Sequence, residues 1–308
     1  MLILIVRVGF ALAALAGIGA CSADRAVRPG VALAPEAGKH FRDFADAPEM
    51  VVVPAGRFIM GSPPEELGRD PDEGPQREIV IARPFAVGRF AVTRGQYGAF
   101  VRATNRPDGP DCYADRGHSG TWKYEKGLTW HDPGFRQTPL DPAVCINMDD
   151  VRAYIAWLNA RTKGGYRLLS EAEYEYAARA GATTRFPWGD TVTHSLANLG
   201  GDPCCGGKVE GHDRWMYTSP GGAFGANRFG LSDMQGNIWE FVADCYTPTL
   251  AAVPADGAAV ITDPCEKNVI RGAGWDDPPS YLRSANRYKQ LPTIRGSVTG
   301  FRLARTLG

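Results

Sequence analysis

The stretch Gly230-Leu231-Ser232-Asp233-Met234-Gln235-Gly236-Asn237-Ile238-Trp239-Glu240-Phe241 decides how this chain is read. A core helix spaces its apolar residues by 3.6 and a half-buried strand by 2. These twelve positions follow neither rule, and instead crowd glycine, amides, carboxylates and tryptophan together. Such a mixture suits an irregular backbone wrapped around a guest, and a hard cation fits best. Asp233 and Glu240 supply two carboxylates, the carbonyls of Gly236 and Ile238 supply two further oxygens, and Gly236 lets the backbone curl between them. Calcium takes six to eight such oxygens. The bland alternative is that the acids cap turns and pair with arginines.

Outward from this stretch, the chain has 308 residues, 44% of them hydrophobic, enough for one large domain or two small ones. Thirty-four basic residues balance 34 acidic ones, so neither a basic stripe for nucleic acid nor an acidic tail is expected. Glycine (37) and proline (23) are abundant, but seven tryptophans and eleven tyrosines argue against disorder. The expectation is a loop-rich α+β fold. Strands are expected at Met50–Val53 and Gly56–Met60 around a Pro-Ala-Gly turn, at Ile79–Ile81 and at Phe85–Val87. Three helices are expected. Thr93 caps the first, which carries Tyr97, Phe100 and Val101. The second runs from about Asp149 to Asn159 with Val151, Tyr154, Ile155 and Leu158 on one face. The third opens on the capping box Ser170-Glu171-Ala172-Glu173 and ends at Gly181, a left-handed cap.

The first twenty-one residues read as a targeting segment, with Arg7 before an apolar run from Val8 to Ala20 that is short for a bilayer. The run ends Ile18-Gly19-Ala20-Cys21, which resembles the bacterial lipoprotein box and makes Cys21 the expected lipidation site. Residues 22–48 read as a polar tether, and the domain is expected over 49–308. The expected place is periplasmic or cell-surface, membrane-anchored through the lipid. Export leaves six cysteines, Cys112, Cys145, Cys204, Cys205, Cys245 and Cys265, and an even number in an oxidising compartment favours disulfides. Fifteen pairings are open. Cys112 with Cys145 and Cys245 with Cys265 close loops of moderate length, which would leave Cys204 and Cys205 as a vicinal pair.

The quoted stretch also resembles the signature of the formylglycine-generating enzyme family, the sulfatase-modifying factors. Further motifs follow in family order: Phe58–Ser62; Phe90-Ala91-Val92-Thr93 with Gln96 and Tyr97; Tyr166–Arg179; Pro187-Trp188-Gly189; Arg271–Trp275; and Gly300-Phe301-Arg302. Leu169 and Tyr174 depart from the proline and tryptophan usual in the third. The resemblance implies a C-type-lectin-like fold with sparse regular structure. It implies a calcium at Asp233, Gly236, Ile238 and Glu240, and a second at the side chains of Asn198 and Asp213 with the carbonyls of Leu199 and Trp215. Active members hold copper through two cysteines just after the Arg-Gly-Gly-Ser-Trp-like motif. Aligned on Trp275, those positions are Asp277 and Leu282, and the serine before the tryptophan is Gly274. A carboxylate and a leucine do not make a soft Cu(I) site, and no cysteine follows Cys265, so copper-dependent formylglycine formation is not expected.

The residues left around the lost thiol pair are Trp275, Asp276, Asp277, Tyr281, Arg283 and Arg287. Asp277 is a candidate acid or base, but the simpler expectation is that Arg283 and Arg287 pair with Asp276 and Asp277 and brace loops. The expected function is therefore a calcium-stabilised, non-catalytic binding or accessory factor whose cleft holds an exported protein, peptide or glycan. The alternative is an enzyme with cysteine-independent chemistry on a protein or peptide-derived substrate. Exported relatives without the cysteine pair, which assist maturation of a siderophore chromophore or of periplasmic redox enzymes, keep that alternative open.

Overall fold

The computed structural model describes residues 36–117, 119–200 and 213–307, and Ala34–Gly308 form one compact unit. The lipoprotein-type segment with Cys21 and the pair Cys204, Cys205 lie outside the described residues. In chain order the elements are β1 (His40–Phe41), β2 (Met50–Val53), β3 (Gly56–Met60), β4 (Arg77–Ile81), β5 (Phe85–Gly88), α1 (Arg94–Thr104), β6 (Asp111–Ala114), β7 (Lys123–Lys126), α2 (Met148–Arg161), β8 (Tyr166–Leu168), α3 (Glu171–Arg179), β9 (Trp239–Cys245), β10 (Asn268–Arg271), β11 (Tyr288–Gln290), β12 (Thr299–Phe301) and β13 (Leu303–Thr306). The expected α+β class with sparse regular structure is what is found.

The three helices start where their caps place them. Thr93, Asn147 and Ser170 each accept from the backbone three residues on, while Gln96, Asp150 and Glu173 reach back, so all three open on capping boxes. The left-handed turn that stops α3 begins one residue before Gly181, at Ala180 (φ 44°), whose N–H bonds back to Tyr176. The strands around the Pro-Ala-Gly turn do not form a hairpin. β2 joins a five-stranded sheet in the order β1-β2-β5-β13-β8, whereas β3 pairs with β4. β1 lies inside the stretch read as tether, and Ala47 is wholly buried, so the folded domain starts before residue 49.

The second main sheet has the order β11-β10-β9-β12 and positions the site. β9 begins within the quoted stretch. Its alternation sends Trp239 and Phe241 into one apolar cluster with Tyr154 and Phe301, and Val242 into another with Val51 and Met60. Two disulfides form, Cys112–Cys145 and Cys245–Cys265. The first ties β6 to the segment before α2. Tyr113 then bonds through its N–H to the Arg295 carbonyl and through its carbonyl to the Ser297 N–H, which fixes the β6–β7 hairpin beside β12.

Candidate functional site

A cleft of about 310 Å³ opens between that hairpin and the second sheet. Tyr113 and Trp122 stack at 5.8 Å on one wall. On the other, Trp239 meets Tyr281 at 6.2 Å and Tyr288 at 5.6 Å. Asp276 and Asp277 line the same cleft. Trp275 is not in the lining. It is buried and backs the hairpin wall, with its ring 6.5 Å from that of Trp122.

The arginines expected on the aspartates go elsewhere. Arg283 sends both terminal nitrogens to Glu73, at 2.7 Å and 2.5 Å, and one of them also to Glu66 at 2.9 Å. Arg287 grips Glu171 with two bonds of 2.8 Å. Both arginines are almost wholly buried, and a buried guanidinium takes the carboxylate that matches its fork, here one supplied by a distant segment. Among the described residues, the ion pairs of Arg283 and Arg287 thus go to Glu73, Glu66 and Glu171, in place of the expected bracing of Asp276 and Asp277. Leu282, aligned with the family's second cysteine, is likewise not in the cleft and sits fully buried in the core.

Burial, followed by the negative charge of neighbouring Asp276, pushes the Asp277 carboxyl up to about 8. Its Oδ2 accepts from the Gly274 N–H at 2.7 Å, and the Trp239 side chain also hydrogen-bonds to it. Gly274 explains itself here: a Cβ at that position would stand 2.9 Å from Asp276 Oδ1 and 3.3 Å from Asp277 Oδ2. The serine that the resemblance expects would require the Asp276 carboxylate to shift. Asp277 has the chemistry of a neutral carboxylic acid at pH 7 that can give and recover a proton.

The first candidate calcium loop brings its two acids together. Asp233 and Glu240 border one small enclosed space beside Phe90 and Ile238. Burial pushes Asp233 up to about 6, so the site holds a carboxylate that a cation would relieve, although Arg302 already bonds to both oxygens of Glu240. At the second, the Asn198 Oδ1 is buried without a hydrogen-bond partner, while its Nδ2 donates to the Tyr217 carbonyl. Asp213 is engaged by the Trp215 N–H at 2.7 Å and by His194 at 3.0 Å. Among the described residues no three acidic, histidine or cysteine side chains cluster, so either site needs amide and carbonyl oxygens to complete a shell. The orphaned Asn198 oxygen fits a hard cation, as does the buried Asp233 carboxyl, whose Oδ2 accepts from the Gly222 N–H at 2.7 Å.

The two loops and the cleft are stitched together. The Asn237 N–H donates to the Asn198 carbonyl at 2.8 Å, and its own carbonyl accepts from the Trp275 N–H at 3.0 Å. The Gly200 N–H donates to the Asp277 carbonyl at 3.0 Å.

Residues 36–307 match the Sulfatase-modifying factor enzyme 1-like domain of the FGE-sulfatase family. The chain belongs to this family. FGE-sulfatase relatives include a formylglycine-generating enzyme of Mycobacterium tuberculosis, 31% identical over 302 residues, covering 82% of this chain and 96% of the relative. An "Inactive C-alpha-formylglycine-generating enzyme 2" of Mus musculus is also 31% identical, covering 86% and 88%. Among solved structures, that of PvdO from Pseudomonas aeruginosa shares 40% identity and a TM-score of 0.78, covering 89% of this chain and all of that one. The family scaffold thus carries more than one name. Which one suits this chain is a question for its cleft.

Sequence reasoning missed the four outer aromatic residues of the cleft, Tyr113, Trp122, Trp239 and Tyr288. Trp239 lay in the quoted stretch but was given no role of its own, and the hairpin wall carries no local motif.

Proposed function

We propose that this chain is an exported, calcium-stabilised FGE-sulfatase family enzyme that works without a thiol pair. Asp277, beside Asp276, exchanges a proton with a peptide-derived ligand held between aromatic walls. One observation carries the reading: the acid pair faces the cleft while Arg283 and Arg287 are committed to Glu73 and Glu171. A carboxyl buried beside a like charge costs stability, and such groups are found most often at functional sites. Anchoring at Cys21 and a periplasmic place remain part of the proposal, and the two disulfides suit an oxidising compartment.

The test compares wild type with Asp277→Asn. Incubated with peptide-derived metabolites, wild type is expected to convert one of them to a chromatographically distinct product, and the variant to lose turnover by about 10²–10⁴-fold, the usual worth of a general acid or base. The thermal midpoint gives a second readout. Asp277 moves from an ordinary 3.8 to about 8 on folding, so between those values the unfolded chain has released a proton that the folded chain keeps. Stability is then lost as pH rises through that window. The Asn variant is expected to lack this share of the decline and to overtake wild type towards pH 8. The second reading, a binding module, is favoured by the aromatic walls, which need no chemistry to hold a ligand. Ligand binding with no product from either protein would decide for it.

Calcium in this proposal is structural. Asp233, Glu240, Asn198 and Asp213 would hold it, with the carbonyls of Gly236, Ile238, Leu199 and Trp215, and it would add positive charge beside these buried carboxyl groups. EDTA is expected to lower the thermal midpoint by about 5–10 °C, from about 2.7 kcal/mol for a site held at a hundredfold excess over its Kd. Restoration by calcium but not by magnesium is the expected control. An unchanged melting curve would refute structural calcium.

A further inference from the structure

We infer that the outer edge of β3 is a docking site for an uncharged, extended polypeptide segment of another protein, which adds to β3 as a third strand of the β3–β4 sheet. The site shares no lining residue with the cleft and stands apart from the reading given for it.

A groove of about 490 Å³ has β3 on one side, through Arg57, Phe58 and Ile59, and the end of α3 with residues 181–183 on the other. What β3 offers there follows from its register. The Val80 N–H donates to the Ala255 carbonyl at 2.8 Å, so Val80 turns its main chain away from β3. In an antiparallel pair the N–H and C=O of one residue point to the same side, and successive residues alternate. Arg57, opposite Val80, and Ile59, opposite Glu78, therefore turn theirs outward, while Gly56, Phe58 and Met60 bond to β4. Gly61 continues the outward series, and there α3 already closes the edge: the Gly61 N–H donates to Glu175 at 2.9 Å and its carbonyl accepts from Arg179 at 3.1 Å. Among the described residues nothing bonds to the main chain of Arg57 or Ile59 on this side.

Two open residues at i and i+2 present two N–H and two C=O groups in a row, the pattern with which a guest strand pairs. The side chains around them favour an uncharged guest. Phe58 and Tyr176, with rings 5.5 Å apart, join Ile59, Pro63 and Ala182 as the apolar lining, and Ile59 is half exposed. The four charged side chains of the lining are each paired: Arg57 with Glu78 at 3.6 Å, Arg179 with Glu175 at 2.9 Å, and Glu66 with Arg283 at 2.9 Å. A charged guest side chain would find no free counter-charge, whereas a β-branched apolar one would cover this lining. A second copy of this chain fits poorly, because its own β3 edge is walled by its own α3, and two walled edges cannot meet. A small molecule would fill the groove but leave the main-chain groups of Arg57 and Ile59 unpaired.

The probe is the end-blocked peptide Ser-Thr-Val-Thr-Val-Thr-Ser, titrated into the full chain beside two isomers, one N-methylated on its valines and one on its threonines. The parent is expected to saturate the chain below about 1 mM. Apolar lining on one face fixes the register of the guest, so the two isomers block alternate N–H groups. One isomer is expected to bind nearly as well as the parent, and the other to lose about tenfold or more with its inter-strand bonds. Followed by NMR, the amides of Arg57 and Ile59 are expected to exchange fast in the free chain and to slow about tenfold or more with peptide bound, while those of Phe58 and Met60 stay protected throughout. Ile59→Pro removes one outward N–H and spares the β3–β4 ladder, so it is expected to weaken binding more than Ile59→Ala, which keeps that N–H. The isomer and exchange readings use the wild-type chain, so poor folding of a variant leaves the test intact. Equal binding of the two isomers, no saturation, or unchanged exchange at Arg57 and Ile59 would overturn the assignment. Slow exchange of both amides in the dilute chain without peptide would overturn it too, because the chain would then fill its own edge. Protection that grows with protein concentration alone would give the edge to a second copy and likewise remove the inference.

Discussion

Arg302→Met is expected to lower stability by about 3–5 kcal/mol, the cost of stranding one partner of a buried ion pair. For a domain of this size that is a fall of roughly 10 °C or more in the thermal midpoint. The guanidinium of Arg302 is wholly buried and forks onto Glu240 at 2.9 Å and 2.8 Å. It also donates to the carbonyls of Gly88, Arg89, Ser232 and Asp233. One side chain thus joins β5, the quoted stretch and the Glu240 carboxylate. Methionine keeps the bulk of the stem but leaves the buried Glu240 carboxylate without its counter-charge and takes one donor from each of four carbonyls. Adding Glu240→Gln removes the stranded charge and is expected to recover part of the loss, while the carbonyls keep the double variant below wild type. Thermal melts of the two single variants and the double variant form the cycle that separates these contributions. A melt of Arg302→Met within about 2 °C of wild type would mean that the pair and its carbonyl bonds do not hold this loop.

The second large effect is expected from Cys112→Ala with Cys145→Ala. The bond spans 33 positions, and closing a loop of that length restricts the unfolded chain by about 3–4 kcal/mol. Both cysteines are buried in a small apolar cluster with Ala114, Leu128 and Ile238, so the packing around them is lost as well. The consequence reaches the cleft, because Cys112 precedes Tyr113 and Cys145 bonds through its N–H to the Gly296 carbonyl. The double variant is expected to melt about 8–15 °C lower and to weaken ligand binding in the cleft, whereas breaking Cys245–Cys265 is expected to leave binding unchanged. Melting curves together with titration of peptide-derived metabolites separate the two bonds, and equal binding in both variants would remove the proposed role of the first in holding the wall.

The helices, four of the thirteen described strands and the family were legible in the chain alone. A capping box is written within four residues, a strand within five, and the energies that set them act between near neighbours. Thr93 with Gln96, and Ser170 with Glu173, could therefore be placed with no knowledge of the rest. The acid pair was legible too, as residues, since Asp276 and Asp277 stand where the family motif ends.

The company those residues keep was not legible. Nearness in sequence suggested Arg283 and Arg287 as partners for the aspartates, yet Arg283 reaches back 210 positions to Glu73 and Arg287 reaches back 116 to Glu171. A buried guanidinium must find a carboxylate that is also out of water, and only the packed structure decides which one that is. The same holds for the aromatic wall, since Tyr113 and Trp239 meet one cleft only because β6 is stitched to residues 295–297 and β9 lies beside β12. The sequence by itself determined the family scaffold. The tertiary structure decided that the two acids line a cleft while Arg283 and Arg287 bond to Glu73 and Glu171, because the charge environment of a buried group is set by contacts across the whole chain.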